Sequence, residues 1–177
     1  VSEFRQIKKD ILDMYPDAIF YVEQHLVSKK HEVGGFVDLI VDIGDGTQIV
    51  YDFKTTDAEF ADDEMKPLSS YRKSFGPLKA PFQNMSQSKF MDHLIQTNIY
   101  GNMLEEQIDP NQPGVKNKVD QIRIIPIIRS IKNGKIESAR IANNYVRIPR
   151  NQKTRELADN MMAFSRVIRD DFDKNYP

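Results

Sequence analysis

The alternation of apolar and polar residues is strongest between Gly34 and Thr56, in the stretch GGFVDLIVDIGDGTQIVYDFKTT. Val37, Leu39, Val41 and Ile43 are the apolar positions going out, and Ile49, Tyr51 and Phe53 those coming back. A period of two over this length predicts a half-buried hairpin with strands at roughly 35–43 and 48–54. Gly44-Asp45-Gly46 between them predicts a three-residue loop, in which glycine supplies the left-handed position such loops need. That loop sets 43 against 47, 40 against 50 and 38 against 52. A two-residue turn would put Phe53 opposite Asp38 and mix the two faces, so the alternation selects the first register.

The flanking patterns are of other kinds. Residues 2–14 read as a helix, with Ser2 able to cap it and Phe4, Ile7, Ile11 and Met14 on one stripe. Tyr15-Pro16-Asp17 ends it, a strand follows over 18–27, and a charged turn covers 28–32. Residues 55–85 contain Pro67, Pro77 and Pro81, with an acidic first half and a basic second half (Lys66, Arg72, Lys73, Lys79). This segment reads as a long loop with a short helical turn, and such loops in compact domains often carry function. Ser86 or Ser88 opens a helix whose stripe is Phe90, Leu94, Ile95, Ile99 and Leu104. A polar loop over 108–119 leads to a strand at 119–131, where Pro126 argues for an edge position or a bulge. Asn133-Gly134 is a turn, 136–148 adds one or two strands, and 154 to about 171 is an amphipathic helix. The expected fold is α/β, a central mixed β-sheet flanked by helices.

At 177 residues the chain is expected to be one domain spanning 1–177, with a loop insertion at about 55–85. It starts at Val1, which fits a processed product or a piece excised from a longer protein. There are 25 Lys and Arg against 26 Asp and Glu, so contact with a polyanion must rest on a local patch. The absence of cysteine rules out disulfides, zinc–thiolate sites and an Fe–S cluster. No apolar run approaches the ~20 residues that cross a bilayer and no signal peptide is visible, so no membrane partner is expected and an intracellular location is.

Candidate chemistry sits on the polar face of the hairpin. The register places Asp38 directly opposite Asp52, with Cβ atoms ~5 Å apart, and Lys54 two residues on along the same face. Two facing carboxylates repel unless a cation lies between them. Mg²⁺ or Mn²⁺ accepts oxygen ligands of this kind and keeps waters for chemistry, and a lysine beside it can serve a water or a phosphate. The same residues also suit the wet side of an amphipathic hairpin, with Lys54 offsetting the acids and Asp42 on the rim. His25, His31 and His93 show no metal spacing and read as surface or packing residues.

Gly35-x-x-Asp38, followed by Asp52-x-Lys54-Thr55, resembles the core of the PD-(D/E)XK nuclease superfamily, and more narrowly its RecB-like exonuclease branch. Val37 stands where the superfamily's name has proline. An independent match lies downstream: Gln96-Thr-Asn-Ile-Tyr100 fits the branch's QxxxY motif, two residues four apart on one helical face. The likeness covers roughly 18–105. It implies a restriction-endonuclease-like core, with Asp38, Asp52 and the backbone carbonyl of Phe53 as ligands of Mg²⁺ or Mn²⁺. Lys54 then serves the attacking water or the transition state. Gln96, Tyr100 and Thr55, with Arg72, Lys73 and Lys79 of the long loop, are expected to meet nucleic acid; Tyr71, Phe75 and Phe82 suit either stacking on unpaired bases or folding a solvated loop back through its aromatics.

The implied activity is metal-dependent hydrolysis of phosphodiester bonds in DNA, by an exonuclease acting on ends or single strands. Its implied associate, fused or separate, is a helicase or a replication or repair protein. An endonuclease on RNA or structured DNA, or a nucleic-acid-binding domain of the same fold without turnover, are the alternatives. The sequence departs from the branch in one respect. An upstream histidine or glutamate usually completes the metal shell, and here the candidates are Glu3, Asp10 and Asp13 on the first helix and Glu23 on the following strand.

Overall fold

The Gly44-Asp45-Gly46 loop closes the hairpin with all three residues at positive φ, and Thr47 donates back to the Gly44 carbonyl. The strands it joins are β2 (Val33–Asp42) and β3 (Thr47–Thr56). Their pairs run Asp42 with Gln48, Val41 with Ile49, Ile40 with Val50 and Leu39 with Tyr51. This is the register that the turn and the alternation select.

In this computed structural model the residues described are 2–79, 81–109, 113–132, 135–142 and 144–175, without the side chains of 2, 3, 131 and 168–175. The chain order is α1 (Ser2–Met14), β1 (Ile19–Ser28), β2, β3, α2 (Ser69–Arg72), β4 (Gly76–Pro77), β5 (Ser86–Gln87), α3 (Lys89–Glu105), β6 (Lys118–Lys132), β7 (Lys135–Ile141), β8 (Val146–Ile148) and α4 (Gln152–Asn175). The main sheet runs β1-β2-β3-β6-β7, with β8 also on β6. β3 and β6 are parallel and the other pairings antiparallel, so the chain is α/β with a mixed sheet. A parallel pair needs a crossover, and here α3 supplies it. The capping role expected of Ser2, and the turn at 133–134, fall outside the described atoms.

Two apolar layers hold the sheet between helices. Residues of α3 and α4, including Leu94, Met103, Leu104 and Met162, pack on Ile40, Val50, Ile122 and Ile124. Ile7 and Ile11 of α1 pack on the other face, against Val41, Ile49, Tyr51 and Ile125. Ser88, rather than Ser86, caps α3, its hydroxyl accepting from the Met91 N–H at 3.1 Å. At the start of α4 the side chains of Asn151 and Thr154 exchange hydrogen bonds with each other's backbone N–H. Between the two helices the Arg150 side chain is almost completely buried and pairs with Glu105 at 2.8 Å. A β-carbon on Gly101 would lie 2.7 Å from the Arg150 Cζ, which is why this helical position is glycine.

Four expectations change. First, the hairpin does not keep one apolar face. Val37 and Ile40 both pack toward α3, whereas Leu39 and Val41 face α1. A regular strand cannot put 37 and 40 on one side, so the alternation inverts at Asp38. The inversion matches one in β1 at Glu23, a non-glycine residue at φ 51° lying between the pairs Val22–Leu39 and Gln24–Val37.

Second, Asp42 is not on the rim: it is buried, and its carboxylate accepts from the Gly44 N–H at 2.9 Å, shaping the turn. Third, Pro126 is neither on an edge strand nor at a bulge, but in β6 at the heart of the sheet. Its carbonyl accepts from Ala142, so its missing N–H points to the same side, in the gap between β8, which pairs with 122–124, and β7, which starts pairing at 127. No partner is lost there. Fourth, Tyr71 cannot stack on a base. It is buried, and its ring lies parallel to that of Phe60 at 4.1 Å.

Candidate functional site

The β2–β3 ladder ends at Leu39–Tyr51, and the next step along the register brings Asp38 to Asp52. There the backbone bond is replaced by a side chain: Asp38 Oδ2 accepts from the Phe53 N–H at 2.7 Å. A strand residue points its N–H and carbonyl to the same side, so the Phe53 carbonyl also looks toward Asp38 rather than toward β6. The strands are thereby held side by side with a carboxylate wedged between them.

Asp52 is 3 % exposed. The Lys54 ammonium lies 3.2 Å from its Oδ1 and 2.9 Å from its Oδ2. Only the first contact has hydrogen-bond geometry, and Oδ2 is a buried oxygen without a hydrogen bond. Burial pushes the Asp52 carboxyl above the ordinary carboxylate range; Lys54 opposes the shift and the charge of Asp38 adds to it. A carboxylate with its pKa raised on folding binds protons more tightly when folded, so its ionisation costs stability as pH climbs through that pKa. Asp52→Asn is therefore expected to raise the thermal unfolding midpoint at pH 8 and to leave it nearly unchanged at pH 4, read by circular dichroism.

The partner helix reaches the same place. Lys54 Nζ donates to Gln96 Oε1 at 2.8 Å, and Gln96 Nε2 donates to the Tyr100 hydroxyl at 2.8 Å. Each group fixes the next. Because Gln96 accepts from an ammonium, its carbonyl must face Lys54 and its NH₂ must face Tyr100. The Tyr100 ring in turn covers Gly35, where a β-carbon would approach its Cε1 to 2.8 Å. The glycine of Gly35-x-x-Asp38 is thus a packing requirement of the QxxxY helix, a link the spacing of the two motifs does not reveal. Gly35→Ala is expected to push Tyr100 off β2 and to weaken Gln96's hold on Lys54. The check is a lower unfolding midpoint that is restored on adding Tyr100→Leu, whose side chain is smaller.

One group that sequence reasoning set aside belongs to the surroundings of the site. His93 lies on α3 one turn before Gln96, with Nδ1 2.7 Å from the Tyr71 hydroxyl. Burial, assisted by Lys54 and Lys89, lowers its pKa to about 4, so it is neutral at physiological pH. Burial and the charge of Asp52 push Tyr71 upward. His31 is buried as well, held by Asp159 at 2.8 Å and by Ser28, and His25 packs on the Phe36 ring. The signal for His93 was its place three residues before Gln96, on one helical face.

Other expected residues are not gathered there. Thr55 is exposed and by alternation follows Phe53 onto the opposite face of β3. Arg72, Lys73 and Lys79 are exposed on the 55–85 segment, Arg72 over the Phe90 ring. Phe75 is exposed, and Phe82 packs edge-on against Phe164.

The upstream acid has two places in the fold. Glu23 falls across from Asp38 in the β1–β2 register and is exposed, with no hydrogen bond or ion pair among the described residues. Asp10 accepts from Gln6 and Asp13 pairs with Lys9, both within α1 and both exposed. The Phe4 ring meets Phe53 at 5.2 Å on the α1 face of the sheet, and the Glu3 side chain lies outside the described atoms. Among the described residues no three His, Cys, Asp or Glu side chains form a group able to hold a metal ion. Asp38 and Asp52 do fit a hard cation in donor chemistry, and the buried Asp52 Oδ2 without a hydrogen bond is the oxygen such an ion would satisfy.

No family model and no curated protein matches the chain. A solved structure described as "Crystal structure of SSO0001" is similar with a TM-score of 0.32 and 14% identity, over 90% of this chain and 56% of that one. The present chain thus spans little more than half the length of that protein. The sheet order and flanking helices define an α/β protein with a mixed central sheet, consistent with a restriction-endonuclease-like core. Among the described residues no helix is long and apolar enough to cross a membrane.

Proposed function

We propose that this protein is a metal-dependent nuclease hydrolysing phosphodiester bonds in DNA, acting on ends or single strands. The observation that carries the reading is the Asp38–Asp52–Lys54–Gln96 constellation: two opposed carboxylates, one with an unsatisfied buried oxygen, and an ammonium fixed between a carboxylate and an amide. Mg²⁺ or Mn²⁺ held by Asp38, Asp52 and the Phe53 carbonyl would polarise the phosphate and acidify a bound water.

The chain's own groups divide the remaining work. Asp52 in its ionised form presents Oδ2, which no hydrogen bond satisfies, to the cation. Lys54 is directed at the reacting phosphate, where its positive charge offsets charge developing on the oxygens. Gln96 holds that ammonium and Tyr100 holds Gln96, so both act on the reaction through Lys54. The exposed Arg72, Lys73 and Lys79 supply the local positive patch that a chain with balanced charge needs for a polyanion.

The test is a substrate panel with Mn²⁺ or Mg²⁺. Linear and single-stranded DNA are expected to be degraded from their ends, while covalently closed circles and RNA survive. Nicking of closed circles, or cleavage of RNA alone, would move the reading to an endonuclease; no cleavage of any substrate would leave a binding domain.

A further inference from the structure

The face of the sheet turned away from Asp52 and Lys54 holds a second cavity. There α1 covers only part of the strands, leaving a pocket of about 300 Å³. Tyr51, Arg123 and Ile125 of β3 and β6 line it, with Ile7, Ile11 and Met14 of α1 and Tyr145 beyond β7. Apart from Arg123 and Asp10 the lining carries no charge.

Two buried guanidiniums in this protein have different surroundings. Arg150 is met by the carboxylate of Glu105 at 2.8 Å. Arg123, 5 % exposed, has no carboxylate within ion-pair distance among the described residues. Its Nε and Nη2 donate to Gln121 Oε1 at 3.1 and 2.7 Å, and Nη1 donates to the Tyr51 hydroxyl at 2.7 Å. The rings of Tyr51 and Tyr145 flank it, with centroids 5.4 and 4.7 Å from Cζ. None of these partners is negative. Burial holds the Tyr51 hydroxyl above its ordinary value, so it accepts as a neutral phenol. Asp10 accepts from Gln6 and stands outside ion-pair distance.

A guanidinium has five N–H groups, and three are used here. The two left are one on each terminal nitrogen, the number of donors a carboxylate takes up in a bidentate pair. A buried cation lacking an opposite charge is unfavourable, and aromatic faces offset only part of that. We infer that this pocket is a binding site for a small aromatic carboxylate, its ring between Tyr145 and the apolar side chains of α1 and its carboxylate on Arg123. The inference is independent of the nuclease reading and uses none of that site's residues.

Sodium benzoate, with benzamide as its neutral isostere, probes the site in thermal unfolding at constant ionic strength. Benzoate is expected to raise the midpoint of the wild-type chain in a dose-dependent manner, and benzamide to leave it unchanged. Arg123→Met is expected to weaken benzoate at least tenfold. Met14→Trp, which fills the mouth of the pocket and leaves Arg123 in place, should abolish the response. A wild-type midpoint indifferent to benzoate, an equal response to benzamide, or a full benzoate response in either variant would overturn the inference. Should Arg123→Met not fold, Met14→Trp decides alone.

Discussion

Replacing Lys54 by alanine is expected, on the proposed nuclease function, to lower DNA hydrolysis by roughly 10²–10³, the usual loss when one group that stabilises transition-state charge is removed. Asp52→Ala is expected to do at least as much, because it removes a ligand oxygen and the partner that orients Lys54. The fold should survive both changes, since the side chains lie at the end of the β2–β3 ladder and not within either apolar layer. Gln96→Ala leaves Lys54 tied to Asp52 alone and should cost less than Lys54→Ala. That ordering separates positioning from direct action: Gln96→Ala lowers kcat with little change in KM, and Gln96→Glu, which keeps an acceptor facing Lys54, recovers part of it. Single-turnover cleavage of a labelled linear duplex at pH 8 with Mn²⁺ measures all four. Below neutrality the wild-type rate should start to fall at a higher pH than an ordinary carboxylate would give, because burial raises the Asp52 pKa and its protonated form offers no ligand oxygen pair.

The largest effect on stability is expected from Glu105→Ala. Glu105 pairs with both Arg150 and Arg155, and its other oxygen accepts from the Val119 N–H at 2.9 Å. Arg150 is almost completely buried, and burial lowers its pKa to about 10 against the pull of Glu105. Removing the acid leaves a desolvated guanidinium held, among the described residues, by Asn98 and Asn102, at a cost of about 3 kcal/mol, the lower end for a broken buried pair. For a chain of this length that is a drop in unfolding midpoint of about 6–12 °C. The double variant Glu105→Leu with Arg150→Met removes both charges and should recover most of the loss. Equal losses in single and double variants would show that packing, not charge, holds α3 to α4.

The hairpin register was legible because two independent constraints, a glycine-rich loop and a period of two, admit only one pairing. The faces were not fully legible, since an inversion at one residue leaves the alternation of neighbouring apolar letters intact. The packing of Val37 with Ile40, and the break in β1 at Glu23, at positive φ between the pairs Val22–Leu39 and Gln24–Val37, show that Val37 has changed sides. Asp42 was misread for the reverse reason: an acid beside a turn is more often solvated than folded into it. Gln96 and Tyr100 could be placed on one helical face from spacing, but their bond to Lys54 and the seat of Tyr100 on Gly35 depend on tertiary packing. In the 55–85 segment composition indicated a loop, and burial of Tyr71 against Phe60 followed from contacts that no local pattern encodes.

In the proposed function Asp38 and Asp52 together hold a divalent cation beside Lys54. Its most direct test is an anomalous difference map from crystals soaked in Mn²⁺. A peak is expected within coordination distance of both carboxylates and of the Phe53 carbonyl, lost in Asp52→Asn, with Glu23 or Glu3 identified by the density as the remaining acid. A fully soaked crystal with no peak between Asp38 and Asp52 would contradict it.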